Sequence, residues 1–310
     1  MNKKFGEHSL CLVGGGDFMR TFAYECLSHE IPVKVLLVKE SAHEQLVLAD
    51  FEFLGDERLA PITTIVENPA EIAPKLCNSD VVIAFGSRWI FPKDVLEKCD
   101  NKIFNLNLIP IPNYLGAAHF SWQILNEDKS GGINLQQITM QIDRGPIYYQ
   151  HNFIATNVDN PVPLDYFEGY ASEISAQFHN IVDAIFVDKS LSNARLLDPS
   201  NIRYYPGLRT LSHGHINWDW DVEDVDRFIR AFDLPYPGAF GLLPSGNRLH
   251  LRSPVIIERC EIHPFCAGLV VAHASDEEFI LSVKGGYIQV RIEPQNSVES
   301  SLPKLGSRLS

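Results

Sequence analysis

Between residues 9 and 107 the chain keeps repeating one unit: a short apolar run, a turn, then a stretch with helical spacing. LCLVGG (9–14) precedes FMRTFAYECL and KVLLV (34–38). ITTIV (62–66), a helical stretch over about 69–77, DVVIAFG (80–86), a helix opened by Pro92 and KIFNLN (102–107) continue the series. Short apolar runs of this kind read as strands buried on both faces, and strands alternating with helices assemble into a parallel, doubly wound sheet. Ligands of such sheets lie beyond the carboxyl ends of the strands. That rule selects AFGSRWIF (84–91) and NLN (105–107) as walls of a candidate pocket.

The glycines after the first run invite a dinucleotide reading. Gly14, Gly15 and Gly16 are followed by Asp17, Phe18 and Met19, so the third glycine of GxGxxG is missing. A tight strand-to-helix turn, with Asp17 capping the helix, accounts for them instead. Further on, AAHFSWQIL reads as a helix, GINLQQIT and IYYQHNF as strands flanking QIDRGP, and residues 162–188 as a long helix. The Pro-, Gly-, Ser- and Asn-containing stretch before His215 reads as a connection. VEDVDRFIRAF (222–232) has helical spacing; LHLR, VIIE, GLVVAH, FILSV and YIQVRI then alternate between turns, as in a small barrel or sandwich. The expected architecture is α/β: a Rossmann-like, mostly parallel sheet over 1–190, a linker at 191–215, a smaller β-rich, OB-like domain at 216–294 and a loose polar tail at 295–310.

A length of 310 residues favours two domains. The 39 acidic residues outnumber 26 Lys and Arg, for a formal charge of -13; nucleic acid, which is held through clustered Lys and Arg, is therefore not the expected partner. Six cysteines without a CxxC pair suggest neither a zinc site nor a disulfide framework, and the HGH of His213 and His215 has no further ligands nearby. No apolar run approaches the roughly 20 residues of a membrane span, and the first residues lack a signal-peptide core. The expected location is the cytoplasm, with reduced thiols, no metal and no membrane contact.

Residues 104–150 concentrate isolated polar side chains among glycines and prolines. Asn105 and Asn107 share a face of an extended segment, since side chains two apart in a strand point the same way, and Asp143 follows in a loop ended by Gly145. Two amides and a carboxylate can thus converge. Arg88 and Arg144 flank the two pocket loops and are candidates for an anionic group. No Gly-x-Ser-x-Gly elbow supports serine catalysis.

On these residues the chain resembles the formyltetrahydrofolate-dependent formyltransferase superfamily, which includes methionyl-tRNA formyltransferase and the N-formyltransferases of nucleotide-linked amino sugars. Asn105, Pro112, the Gly116–Ala118 helix start, Asp143 and Gly145 match its motifs, and VGGGDF, VVIAFGSRWIFPKDVL, INWDW and IRAFDLPYPGAF are similar to its other segments. The resemblance implies formyl transfer from 10-formyltetrahydrofolate to a primary amine. It implies folate contacts at Phe85, Gly86, Ser87, Arg88, Trp89, Ile90 and Gly145, and acceptor contacts at Gly116, Trp122 and Tyr236. Trp122, with acidity and the lack of a basic tRNA-holding insertion in 40–60, points toward nucleotide-linked amino sugars. An amino acid such as hydroxyornithine, or aminoacyl-tRNA, is the alternative acceptor, and a homodimer is compatible with the sequence.

One position departs from the pattern. FNLNLIP has Asn107 where the superfamily's FNxHxSxxP has its catalytic histidine, and an amide does not titrate near neutrality. Positioned acid-base catalysis contributes about 10²- to 10⁴-fold, or about 3–5 kcal/mol, so the expectation is a slow enzyme or a binding protein that has lost catalysis. His119, at the start of the next helix, is the candidate substitute base.

Overall fold

The computed structural model describes residues 9–38, 54–76, 80–86, 90–99, 102–186, 194–293 and 302–310. The chain divides into two compact units, one of Met1–Leu115, Gly131–Phe153 and Glu168–Arg203, the other of Gly116–Ser130, Ile154–Phe167 and Tyr204–Ser310. The last crossing, at Arg203/Tyr204, lies within the stretch expected as a linker, and two short segments of the first half, 116–130 and 154–167, group with the second half. Such long-range packing leaves no local mark in the sequence.

The first unit is built on a seven-stranded sheet. Its strands are β1 (Ser9–Gly14), β2 (Val33–Val38), β3 (Thr63–Val66), β4 (Asp80–Phe85), β5 (Ile103–Asn107), β7 (Ser130–Gln137) and β8 (Ile147–Ile154), in the order β3-β2-β1-β4-β5-β7-β8. From β3 to β5 all pairs are parallel, and β7 joins β5 antiparallel. The order reverses between β1 and β4, the kind of switch point at which doubly wound sheets open a crevice. One face carries Cys11, Val13, Leu36, Val82, Ala84, Phe91, Val95 and Ile103 in a single apolar cluster. Phe22 of helix α1 (Gly16–Ser28) meets Phe85 at 5.5 Å and Phe178 at 5.0 Å between ring centres. Each side chain so enclosed contributes about 1.5–3 kcal/mol of apolar burial.

The glycine run has a steric reason. At Gly14, φ is 138°, and a Cβ there would lie 2.2 Å from the Phe85 carbonyl oxygen of the neighbouring strand. Helix α1 is capped by Gly15 without a side-chain bond; Asp17 lies inside its first turn and pairs with Arg20 at 2.9 Å. The capping role expected for Asp17 is thus taken by the glycine, which displaces the aspartate into the helix.

The second unit contains a five-stranded antiparallel sheet in the order β10-β11-β14-β13-β12, formed by Ala239–Leu242, Arg248–Arg259, Gly286–Ile292, Glu278–Val283 and Leu269–His273. Helix Val222–Ala231 buries Val222, Val225 and Ile229, spaced for one helical face. A second helix, His119–Leu125, joins it through the Ser121 hydroxyl, which donates to the Ala231 carbonyl at 2.7 Å.

The carboxyl terminus differs from the loose tail expected on composition. Residues 294–301 lie outside the described residues, but Ser310 exchanges both backbone hydrogen bonds with Leu242 of β10. Val270 of β12 likewise bonds Ser307 and Gly306. The terminal segment therefore bonds both edge strands of the sheet, and Leu309 is 1% exposed. The buried Leu309 and Pro303 and these backbone bonds together hold the segment.

Candidate active site

The two amides at the end of β5 come into register with two more on β7. Asn105 lies opposite Gln136 and Asn107 opposite Asn134, while Leu106 lies opposite Leu135. Cross-strand partners share a face, so the four amides occupy one side of the strand pair and the leucines the other. Leu106 and Leu135 are buried, and so are Asn134 and Gln136; Asn105 and Asn107 are partly exposed.

The buried pair is committed to the backbone. Asn134 donates from Nδ2 to the Ile109 carbonyl at 2.7 Å and more weakly to that of Asn107 at 3.4 Å, tying down the chain as it leaves β5. Gln136 donates from Nε2 to the carbonyls of Asp143 and Gly145, at 3.2 and 2.9 Å. Neither Asn105 nor Asn107 has a side-chain hydrogen bond among the described residues. Both are left with donors to offer.

Asp143 stands on the loop that Gln136 grips, with φ at 54°, a left-handed conformation uncommon for a residue with a side chain. Gly145 allows the loop to close, since a Cβ would lie 1.8 Å from the Gln137 carbonyl oxygen. Burial pushes the Asp143 carboxyl above its ordinary value, and the charge of Arg144 works against that push. No described side chain hydrogen-bonds the carboxylate. A partly desolvated, unengaged carboxylate is suited to accept a proton, and unengaged amides are suited to stabilise a developing oxyanion.

Of the other residues expected in the site, Gly86 and Ile90 are exposed at the end of β4, whereas Phe85 points into the core against Phe22. At Phe85 it is the backbone, not the ring, that lies at the strand end. Ser87, Arg88 and Trp89 lie outside the described residues.

Gly116, His119, Trp122 and Tyr236 belong to the second unit. Gly116, with φ at 112°, lies where a Cβ would come 2.1 Å from the Tyr205 carbonyl oxygen, so its pairing with residues 204–205 already demands glycine. His119 stacks edge-on against Phe120 at 4.2 Å, and its Nε2 is enclosed without a hydrogen-bond partner. Burial pushes the ring down to about 4. An imidazole held neutral with its Nε2 shut off, although the residue is partly exposed, is a poor proton acceptor at pH 7, so the substitute-base role gains no support. Trp122 is partly exposed, donates from Nε1 to the Pro206 carbonyl at 2.8 Å and meets the ring of Tyr205 at 5.4 Å. The Tyr236 hydroxyl is pushed up to about 12 by burial, so it stays protonated.

Sequence reasoning missed Asn134, Gln136 and Tyr205. The first two were hidden in an ordinary-looking strand, GINLQQIT, and the third in a segment read as a connection. Among the described residues no group of three or more His, Cys, Asp or Glu side chains is arranged to hold a metal, and no helix is long and apolar enough to cross a membrane.

Comparison with known proteins gives two matched family models: "Formyl transferase" over residues 14–164 and "Formyl transferase, C-terminal domain" over 210–297. Among solved structures, the sugar 3N-formyl transferase WlaRD, studied with dTDP and 5-N-formyl-THF, is similar in fold. It has 20% identity and a TM-score of 0.61, over 92% of this chain and 97% of that one. An N-formyltransferase from Helicobacter canadensis, in complex with folinic acid and dTDP-3-aminofucose, has 19% identity and a TM-score of 0.60, over 92% and 100%. The methionyl-tRNA formyltransferase from Clostridium thermocellum has 16% identity and a TM-score of 0.53, over 80% and 93%.

Proposed function

Because the chain belongs to the formyl transferase family, we propose that it moves a formyl group from 10-formyltetrahydrofolate to a primary amine, and that this amine is carried by a nucleotide-linked sugar. The observation that carries the reading is the Asp143 carboxylate, unengaged among the described residues and held on a loop clipped by Asn105's own cross-strand partner. The amino-sugar acceptor is supported by the WlaRD and Helicobacter canadensis structures, whose ligands are dTDP with a formyl-folate and dTDP-3-aminofucose with folinic acid. The chain's acidity, -13 in formal charge, favours a small acceptor over a tRNA.

In this reading the neutral amine forms a bond to the formyl carbon while Asn105 and Asn107 donate hydrogen bonds to the oxygen that gains charge. Asp143 takes the proton released by the new C–N bond. When the formyl C–N10 bond breaks, Asp143 returns that proton to N10, so atoms and charge balance. Gly86 and Ile90, exposed after β4, are offered to the folate. Asn107 cannot share the proton traffic, which concentrates it on Asp143 and lowers the expected rate.

The test is incubation with 10-formyltetrahydrofolate and a panel of amino-sugar nucleotides, amino acids and aminoacyl-tRNA, read by mass spectrometry for the gain of one formyl group. No product from any acceptor, together with no folate binding by calorimetry, would sink the proposal. A second reading, a binding protein without turnover, is favoured by Asn107 together with the shut-off Nε2 of His119. Folate binding without product in the parent, and turnover gained in Asn107→His, would establish it.

A further inference from the structure

Gln136 does something that strand β7 does not require. A leucine would serve an enclosed strand position as well, and an amide that is 2% exposed is tolerable only when its polar atoms find partners. Both bonds of its Nε2 go to one loop, to the carbonyls on either side of Arg144. These two bonds hold the 143–144 and 145–146 peptide planes, one on each side of the 144–145 peptide, beginning directly at Asp143, whose left-handed backbone is of the kind that persists where its surroundings fix it. Asn134, two residues earlier on the same face, makes the corresponding clip onto the exit of β5. One pair of buried amides thus holds both pieces of chain that carry the reacting groups.

We propose that Gln136 is a positioning residue for formyl transfer: its two hydrogen bonds hold the Asp143 loop so that the carboxylate meets the amine at the face of Asn105 and Asn107. This rests on the formyl-transfer reading above. Gln136 itself touches no reacting atom. Its amide keeps the same hydrogen-bonding form at every pH, so the clip holds whether or not Asp143 carries a proton. Without it the loop is released and the carboxylate gains water. The charged neighbour acting on Asp143 among the described residues is Arg144; β5 and β7 face the loop with amides that do not titrate.

The experiment compares the wild type with Gln136→Met, which keeps length and loses the donors. Turnover should fall about 10- to 100-fold with the acceptor KM nearly unchanged, as expected for a misplaced proton acceptor. The acid limb of the pH profile should move to lower pH as burial of Asp143 is relieved. Carbon-13 titration of the Asp143 carboxyl, assigned with Asp143→Asn, should show the same downward movement without any substrate. An unchanged profile and an unchanged titration midpoint would overturn the proposal. If the wild type converts no amine but the midpoint still falls in Gln136→Met, the clip stands and the formyl-transfer reading fails. Should Gln136→Met not fold, Gln136→Glu gives a second answer. Its protonated acid can still donate and its carboxylate repels both carbonyls, so its activity relative to wild type should decline as pH rises through the glutamate range. A ratio independent of pH would count against the clip.

Discussion

Two aspartates, one in each unit, show what distinguishes a site from a scaffold. Burial raises the carboxyl of both Asp143 and Asp233. Asp233 is answered on every side: it accepts from the Leu234 and Ser253 amides at 2.7 and 2.8 Å, and the Arg252 guanidinium lies 3.9 Å away while also pairing with Glu293 at 2.9 Å. Among the described residues Asp143 has the opposing charge of Arg144 next door and no hydrogen bond to its carboxylate. Equal direction of shift thus hides opposite purposes. A saturated carboxylate holds the chain together, and an unsaturated one is available to something that arrives.

The sharpest break of this comparison is Asp143→Asn. It should lower kcat/KM by about 10²- to 10⁴-fold, with the melting temperature held or slightly raised; a variant retaining wild-type turnover would remove Asp143 from the chemistry. The second unit should respond the other way. Leu309→Ala empties a fully enclosed position between the edge strands and should cost about 2–5 kcal/mol in chemical denaturation, with turnover per folded molecule preserved. Asp233→Ala removes two charge-assisted bonds and leaves Arg252 short of a partner, for a cost of about 3 kcal/mol with the same preserved turnover.

The smallest effect is a dependence on pH. A carboxyl whose folded pKa is raised favours folding when protonated, and that advantage is lost as pH rises through the folded value. Asp143→Asn should therefore equal the wild type in stability at strongly acid pH and exceed it slightly above the raised Asp143 range. Denaturant midpoints measured across acid to neutral pH would check the sign, and a variant less stable at neutral pH would contradict it.

The parallel sheet was legible because each strand announces itself as a short apolar run between turns. Asn105, Asn107 and Asp143 were legible as polar residues misplaced in such surroundings. His119 was not, because whether the ring nitrogen at the start of a helix is shut off depends on what packs over it. The burial of the Phe85 ring was not legible for a related reason: its side chain follows the alternation into the core while its backbone ends the strand. Gln136 looked like the outward half of an alternating strand. At β7 that half is enclosed as well, with Asn134 and Gln136 buried, whereas on the same face of β5 Asn105 and Asn107 stay partly exposed. The terminal segment was misjudged because composition averages over the buried Leu309 and says nothing of the backbone bonds that hold it to the edge strands.

The register of the four amides has a bearing on how the chain finds its fold. If β7 slipped by one residue along β5, Asn134 and Gln136 would turn toward the leucine face and Leu135 toward the amides, since side chains alternate strictly along a strand. Each amide left buried and unpaired would cost about 1–3 kcal/mol. The strand pair is antiparallel at the margin of a parallel sheet, where a local apolar pattern alone would tolerate misalignment. The polar face makes the native alignment the only inexpensive one. Replacing its members with leucine should therefore loosen the alignment itself, giving a chain with several competing pairings instead of one weakened native state.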